Sequence, residues 1–466
     1  MEYKKHIKSL ILLGLPIIIG QLGNIVTGLA DTVMVGQHST EELAAASFVN
    51  NVINAFIILG TGFSFNYTPI IGEHIAVNKR IAIGGWLKNS LMANFTTTAI
   101  ILFLLALIYL NLGMLDQPEE LMPLIRPYYM VLMGSVVFVM LSNSFRQFVE
   151  GIMDASVSMW VLTIVNAINI MGNYLLIYGK MGLPELGLLG AGISTLLSRI
   201  FMLLLFVLIF IKQEKYKPFR QGFLVTPFRK AYWKRLNLIG WPIAFQQGIE
   251  AATFCITTIM IGWLGGMELA AHQVAIAVST VSFTIYLGLG SAVAIRTSMY
   301  KGLKDWKNVR RVTASGIMMA VVLSVTLSFL LYLCCDTIGG YFTDDASVLQ
   351  IVAVLIPILI AYQFGDSIQI VLANALRGLS DVTSIMVISF VSYFIIAIPA
   401  GYALAFFLNQ GIAGIWMSYP IGFTCSVALL GWRALRVMQV KRKPDHETNS
   451  LSMAISCFSV SGNSKH

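Results

Sequence analysis

Long apolar runs separated by short polar segments dominate the pattern of hydrophobic positions along this chain. The hydrocarbon core of a bilayer is about 30 Å thick, so a helix that crosses it needs roughly 20 apolar residues. Runs of this size predict twelve transmembrane helices and an all-α polytopic membrane protein. The predicted limits are 10 to 36, 44 to 70, 87 to 113, 125 to 145, 156 to 179, 187 to 211, 237 to 263, 270 to 295, 312 to 336, 347 to 374, 384 to 408, and 412 to 437.

Composition and charge support this interpretation. Only 11% of the 466 residues are charged, whereas soluble proteins carry roughly 25%. The 31 Lys and Arg and 22 Asp and Glu give a net charge of +9, and the basic residues lie between the apolar runs. This distribution is typical of a chain in contact with membrane lipid, so we expect no nucleic-acid partner.

The positive-inside rule sets the orientation. With the N-terminus in the cytoplasm, 28 of the 31 Lys and Arg fall on the cytoplasmic side of the predicted spans. Such a bias arises when the number of spans is right and basic loops face the cytoplasm. We therefore expect a multi-pass protein of the plasma membrane, the inner membrane of a bacterium, with both termini cytoplasmic.

An internal repeat divides the chain. At a shift of 226 residues, Pro16 aligns with Pro242, and a Glu-Leu-Ala-Ala tetrapeptide recurs. The aligned segments are 13 to 21 with 239 to 247, and 42 to 45 with 268 to 271. Six spans per repeat give both lobes the same orientation, with a cavity between them. The predicted domains are an N-lobe at 1–211, a cytoplasmic linker at 212–236, a C-lobe at 237–440 and a disordered cytoplasmic tail at 441–466.

Apart from Asp336, which stands at the outer limit of the ninth span, three of the 22 acidic residues lie inside the predicted spans: Asp31, Glu250 and Asp366. An ionised carboxylate in hydrocarbon costs several kcal/mol unless it is protonated, paired or bound to a cation. These acids are therefore the first candidates for function.

In the N-lobe, Asp31 lies at about the same depth as Asn169, Asn173 and Thr195, counted from the outer ends of their spans. A carboxylate, two amides and a hydroxyl at one level can form a proton site or bind a hard cation through oxygen. The alternative is that the amides and the hydroxyl only join helices.

In the C-lobe, Glu250 and Asp366 can approach each other, and Tyr362 precedes Asp366 by one helical turn. Two carboxylates that share a site favour a bound cation, either a proton or Na⁺ held by Glu250, Asp366 and Tyr362. The alternative is that neighbouring glutamines satisfy each carboxyl group separately.

Three prolines inside spans are candidate hinges: Pro16, Pro242 and Pro357. Each removes a backbone hydrogen bond and allows a bend, which can be a static kink or a hinge biased by ion binding. Arg199 is the one cation predicted inside the hydrocarbon, in span 6, and the sequence assigns it no role.

Motifs for enzymatic chemistry are missing from the sequence. It has no GxxxxGK[ST] for a nucleotide phosphate, no HExxH for zinc and no GxSxG for a nucleophilic serine. We therefore expect no enzyme and no cofactor beyond a coupling ion, Na⁺ or H⁺.

Several stretches resemble the multidrug and toxic compound extrusion (MATE) family, particularly its NorM-like branch. They are LGLPIIIGQ at 13–21, Asp31-Thr32-Val33-Met34-Val35-Gly36, and YQFGDSIQIVLANALRGLSD at 362–381. The resemblance implies a V-shaped, twelve-helix antiporter that exports organic cations by alternating access. It also implies an N-lobe polar network of Asp31, Asn169, Asn173 and Thr195, and a C-lobe cation site of Glu250, Tyr362 and Asp366. Two cytoplasmic ends, GEH at 72–74 and IRTSMYKG at 295–302, depart from the family pattern.

The expected function is therefore export of small organic cations and drugs in exchange for Na⁺ or H⁺, by a monomer. A lipid-linked precursor flippase of the same superfamily is the alternative, and it would require a strongly basic central cavity. A channel or a receptor would need a filter-like segment or a large extramembrane domain, and the sequence has neither.

Overall fold

The computed structural model describes residues 2–115, 117–333 and 346–440, in which helices are the only regular secondary structure. The predicted disordered tail at 441–466 lies outside these residues. The α-helices are α1 (Glu2–His38), α2 (Thr40–Ser64), α3 (Thr68–Ala76), α4 (Arg80–Leu110), α5 (Met122–Gly151), α6 (Ala155–Ile177), α7 (Gly187–Lys212), α8 (Lys217–Val225), α9 (Lys230–Gly262), α10 (Gly266–Gly302), α11 (Trp306–Leu333), α12 (Ala346–Gly378), α13 (Val382–Phe390), α14 (Ile398–Tyr402) and α15 (Gly411–Val440).

These helices form twelve long rods in the described part of the chain, one for each predicted span. A short 3₁₀ turn joins α2 to α3, and π-helical turns join α13 to α14 and extend α14. Eleven of the rods are long and apolar enough to cross a membrane. The twelfth, α9, has 33 residues. Its apolar sequence is interrupted in the middle by three polar residues, Gln246, Gln247 and Glu250. The fold is an all-α polytopic membrane protein.

The rods alternate in direction, so the bundle has two chemically different ends. At one end, His6 contacts Asn308, and Arg310 donates to the backbone carbonyl of Met438. Both ends of the described chain therefore lie at this end, together with the Lys- and Arg-rich connections; we call it the basic end. His38 contacts Glu185 at the opposite, acidic end.

We call the rods before α8 the first half and the rods after it the second half. The two halves pack against each other mainly toward the basic end. Small residues allow this approach: a Cβ on Gly62 would lie 3.1 Å from the Ala244 Cα, and one on Gly72 would lie 1.8 Å from the Ser298 Oγ. Close backbone contact at small residues is typical of helix packing in membranes. Hydrogen bonds and ion pairs that join the two sets of rods at this end link His6 to Asn308, Met153 to Arg296, and Glu73 to Arg235, Lys301 and Ser380.

The connection between the halves is itself structured. Its helix α8 packs against α4 so closely that a Cβ on Gly84 would lie 1.9 Å from the Phe219 carbonyl oxygen. The Tyr216 hydroxyl donates to Asp154 at 2.5 Å. Burial, aided by this carboxylate, raises the pKa of Tyr216, so the phenol stays protonated and the hydrogen bond persists at neutral pH. The connection is therefore anchored on the first half.

Candidate functional site

A cavity of about 700 Å³ lies within the first half, between α1, α2, α5, α6 and α7; we call it the large cavity. Its volume is in the range typical of small-molecule sites, roughly 300 to 1,000 Å³. Asp31 lines it from α1, and Asn169 and Thr195 line it from α6 and α7. Three of the four residues predicted for the N-lobe network therefore share one wall.

The fourth residue, Asn173, stands directly behind this wall. Its side-chain amide donates to the Asp31 carboxylate and lies 3.5 Å from the Asn169 amide oxygen. Asn169 in turn donates to the Thr195 hydroxyl at 3.3 Å. The structure thus brings all four predicted residues into one chain of contacts, with Asp31 at the cavity end. The Asn173 amide oxygen is buried and has no hydrogen-bond partner among the described residues.

The rest of the wall is rich in amides, and of these the sequence had singled out only Asn169. These side chains offer both donors and acceptors. The amide side chains lining the large cavity are Gln21, Asn24, Asn50, Asn51, Asn54, Asn143, Asn166 and Asn169. The cavity is therefore suited to a ligand with several polar groups.

A buried ion pair lies behind this cavity, just beyond the predicted limit of the fourth span. The α5 helix continues to Gly151, beyond the predicted limit of 145. It carries Arg146, which lines the cavity, and Glu150, which is only 2% exposed. The Arg146 Nε donates to Glu150 at 2.8 Å, and the Ser158 hydroxyl donates to the same oxygen at 2.9 Å. The charge of Arg146 is thus balanced inside the first half.

Arg199 also lines the large cavity, from α7. It donates to the Ser135 hydroxyl at 2.6 Å, and no carboxylate in the described residues lies within 4.0 Å of it. Its place as the one cation in the hydrocarbon stays a prediction; Arg146 and the 2% exposed Arg377 are also buried, near the ends of their helices. Both were missed because they follow the last apolar residues of their predicted spans.

A second, much smaller cavity lies in the second half, between α9, α10, α12, α15 and the π-helical segment after α13. Its volume is about 20 Å³, close to the minimum of roughly 10 to 15 Å³ that holds one water. Its lining residues are Glu250, Thr253, Phe254, Phe283, Tyr362, Asp366, Gln369, Tyr393, Tyr419 and Phe423. The three residues predicted for the C-lobe site, Glu250, Tyr362 and Asp366, therefore meet in this small cavity.

The two carboxyl groups of the small cavity have different partners. Glu250 accepts hydrogen bonds from Gln246 at 2.9 Å and from Gln369 at 3.3 Å. The Oδ2 atom of Asp366 is buried and has no hydrogen-bond partner in the described part of the chain. Glutamines thus satisfy the Glu250 carboxyl group, whereas the Oδ2 atom of Asp366 stays available to a ligand. The cavity offers oxygen donors and space for one small ion.

Arg377 connects the small cavity to the first half. Its guanidinium donates to the Gln246 side-chain oxygen at 3.2 Å, and Gln246 in turn donates to Glu250. Its other face lies over the Phe65 ring of the first half, 4.8 Å from the ring centroid. The segment at 362–381 that resembles the family contains this residue, but the sequence did not show that it is buried.

At the basic end, Glu73 of α3 joins the two halves. Its carboxylate lies 2.5 Å from the Lys301 Nζ and 3.3 Å from an Arg235 nitrogen. The Ser380 hydroxyl lies 3.5 Å away. Glu73 belongs to the GEH segment that departs from the family pattern, and its three partners all belong to the second half.

The predicted hinge prolines lie inside continuous helices: Pro16 in α1, Pro242 in α9 and Pro357 in α12. Pro16 and Pro242 stand in the rods that carry Asp31 and Glu250. Their role as hinges stays a prediction.

A sequence model of MatE matches the chain twice, at residues 16–175 and 242–403. The chain belongs to the MATE family. The two matches begin 226 residues apart (242 − 16), which is the shift at which the repeat appears in the sequence. The division into the domains 1–211, 212–236 and 237–440 stays a prediction.

Relatives and solved structures extend the comparison along the whole chain. A probable multidrug resistance protein NorM of Photorhabdus laumondii is 27% identical over 430 residues, 91% of this chain and 94% of the relative. The multidrug resistance protein MdtK of Edwardsiella ictaluri is 28% identical over 456 residues, 95% of this chain and 97% of the relative.

Two solved MATE transporters share the fold. A eukaryotic MATE transporter has a TM-score of 0.85 at 16% identity and covers 95% of this chain and 99% of its own. A multidrug resistance MATE family transporter in an outward-facing conformation has a TM-score of 0.86 at 18% identity, covering 94% and 97%. The protein is a multi-pass membrane protein of a multidrug efflux transporter family.

Proposed function

We propose that the protein is a secondary antiporter that exports organic cations and drugs in exchange for Na⁺ or H⁺ by alternating access. The observation that carries this proposal is the difference between the two cavities. One has space for an organic molecule, about 700 Å³, and the other, about 20 Å³, holds two acids and little more than one small ion.

The small cavity is the proposed coupling site. Two carboxyl groups line it together, and a proton or a bare Na⁺ would relieve their mutual repulsion. Asp366 offers an oxygen without a hydrogen bond, and Tyr362 adds a phenol one turn away. Oxygen donors of this kind suit both a proton and a hard metal cation. Glu250, Asp366 and Tyr362 would hold the ion, without any other cofactor.

The large cavity is the proposed export site. Asp31 supplies the negative charge that attracts an organic cation, and Asn173 holds its carboxylate in place. The same carboxylate can also carry a proton, which would couple substrate binding to the proton gradient.

Alternating access is supported by where the two halves meet. Contacts between them gather at the basic end, around Glu73, so separating the halves there would open the basic side of the transporter. Arg377 links the coupling site to Phe65 across the same interface. We propose that the protein works as a monomer in the inner membrane, with the basic end and both termini cytoplasmic.

The flippase alternative requires a strongly basic cavity for a lipid-linked anionic head group. The wall of the large cavity carries Arg146 and Arg199, but Arg146 is paired with Glu150 and Asp31 faces the same space. Its described charges are therefore balanced, which favours the antiporter.

Ethidium efflux from energised membrane vesicles tests the proposal. We expect efflux driven by a Na⁺ gradient or a proton gradient. Asp366→Asn and Glu250→Gln should abolish it while membrane insertion is retained, because each removes a carboxylate of the coupling site. Glu41→Gln, an exposed residue outside both cavities, is the matched control. Absence of efflux under both gradients in the parent protein would reject the antiporter.

A further inference from the structure

A third cavity, of about 250 Å³, lies at the basic end beside the start of α1; we call it the basic-end cavity. Its lining residues are Lys5, Lys8, Ser9, Leu12, Leu13 and Met153. All of them belong to α1 except Met153, which stands in the connection between α5 and α6. The proposed antiport gives this cavity no role, because it shares no residue with the large cavity or the small cavity.

The wall of the basic-end cavity carries positive charge that no acid balances. Lys5 and Lys8 are three residues apart on α1, so both stand on one face of the helix. Both are exposed, and neither forms an ion pair within the part of the chain that the structure describes. Ser9 adds a hydroxyl, which can donate a hydrogen bond. The wall therefore complements an anion.

Arg296 of α10 brings a third cation next to this wall. One of its terminal nitrogens lies 3.8 Å from the Met153 sulfur, and the other donates to the Tyr300 hydroxyl at 2.9 Å. Its Nε is buried and has no hydrogen-bond partner among the described residues. None of their carboxylates lies within 4.0 Å of this side chain. The guanidinium therefore adds to the positive potential at the cavity.

The face of α1 that carries the two lysines continues into the membrane as an apolar stripe. Leu12, Leu15 and Ile19 follow at helical spacing, and all three side chains are exposed. At 1.5 Å per residue, Lys8 and Ile19 are roughly 16 Å apart along the helix axis. This length is close to one leaflet, half of a hydrocarbon core that is about 30 Å thick. Lysines at the boundary and an exposed apolar stripe below them match the two ends of one phospholipid.

We propose that the basic-end cavity binds the headgroup of an anionic phospholipid from the leaflet at the basic end. The headgroup lies between Lys5 and Lys8, and an acyl chain lies along Leu12, Leu15 and Ile19. Basic pockets between helices at the cytoplasmic face of a membrane are suited to such headgroups. A soluble anion would contact the lysines but leave the apolar stripe without a partner, so the stripe favours a lipid. The inference does not depend on the proposed export function.

Native mass spectrometry of the full-length protein in detergent tests this assignment. Phosphatidylglycerol and phosphatidylethanolamine with the same acyl chains are titrated in turn, and the Kd of the first bound lipid is read from the peak intensities. The first lipid has a net negative headgroup and the second is zwitterionic. The parent protein should bind phosphatidylglycerol about tenfold more tightly, because two lysines face the headgroup.

The double variant Lys5→Gln with Lys8→Gln should lose most of this preference, because it removes both charges from the wall. Lys5→Arg with Lys8→Arg should keep it, because both charges remain. Lys230→Gln with Lys234→Gln is the matched control. These lysines are exposed at the start of α9 and lie outside the cavity, and Lys234 corresponds to Lys8 at the repeat shift of 226 residues. Thermal unfolding of each variant checks that the fold is intact.

Two results would overturn the site. One is an unchanged preference for phosphatidylglycerol in the Lys5→Gln, Lys8→Gln variant. The other is an equal loss in the Lys230→Gln, Lys234→Gln control, because binding would then follow the total basic charge of the surface. Inorganic phosphate at millimolar concentration should leave the lipid bound. Displacement of the lipid by phosphate would indicate a site for free anions and overturn the assignment to a lipid.

Discussion

Replacing Glu73 by Gln should shift the transporter away from the state in which its basic end is closed. The Glu73 carboxylate binds Lys301 and Arg235, and both partners belong to the other half of the molecule. Gln keeps the shape of the side chain but removes its charge. The closed state loses both ion pairs. A state in which the halves are apart at this end does not contain these ion pairs, so the substitution does not change its free energy.

The size of the effect follows from the exposure of the partners. Lys301 and Glu73 are 2.5 Å apart with side chains 18% and 19% exposed, so this charged hydrogen bond contributes about 1.5 kcal/mol. Arg235 is 45% exposed at 3.3 Å, and such a pair contributes roughly 0.5 kcal/mol. A loss of about 2 kcal/mol raises the population open at the basic end about 30-fold, since 1.4 kcal/mol is a factor of ten.

Distances between spin labels at Asn78 and Lys304, measured by double electron–electron resonance, report this population. Both positions are exposed connections at the basic end, one in each half, and the native cysteines are replaced beforehand. Glu42→Gln is the matched control, because that carboxylate binds His38 within the first half. A Glu73→Gln distance distribution equal to that of the parent would refute the view that Glu73 holds the closed end.

Two further predictions concern packing and charge in the described helices. Gly84→Ala should lower the free energy of unfolding by about 2 kcal/mol, because the added Cβ would meet the Phe219 backbone. Thermal unfolding measures the effect, with Gly134→Ala as the control because a Cβ there would have nothing within 4 Å. Equal melting temperatures for the two variants would contradict the prediction. Arg377→Gln should tighten binding of the coupling ion several-fold, because the buried positive charge of Arg377 lies near Glu250 and opposes cation binding. The ion dependence of transport measures this affinity, and an unchanged or weaker affinity would contradict the prediction.

The sequence was sufficient for features that depend on long apolar runs and on rare charges within them. Each predicted span corresponds to a rod, and Asp31, Glu250 and Asp366 each line a cavity. These features are local, because the cost of burying charge in hydrocarbon is a property of the segment itself. Even α9, which carries Glu250, was predicted from its apolar run at 237 to 263.

Other features depend on which helices meet, and the sequence does not encode that locally. Glu150 and Arg377 follow the last apolar residues of their spans and look like loop residues, yet packing buries both almost completely. The asparagines of the large cavity are common polar residues that a sequence pattern does not distinguish from exposed ones. The contacts of Glu73 join residues about 230 positions apart, and only the packed structure brings them together.

Binding of the coupling ion to the purified protein tests the central claim most directly. Calorimetric titration with Na⁺, and with acid in buffers of different ionisation enthalpy, measures how many Na⁺ ions or protons the protein takes up. The account predicts that uptake at the small cavity disappears in Asp366→Asn and persists in the Glu41→Gln control. Ion uptake by Asp366→Asn equal to that of the parent would contradict it.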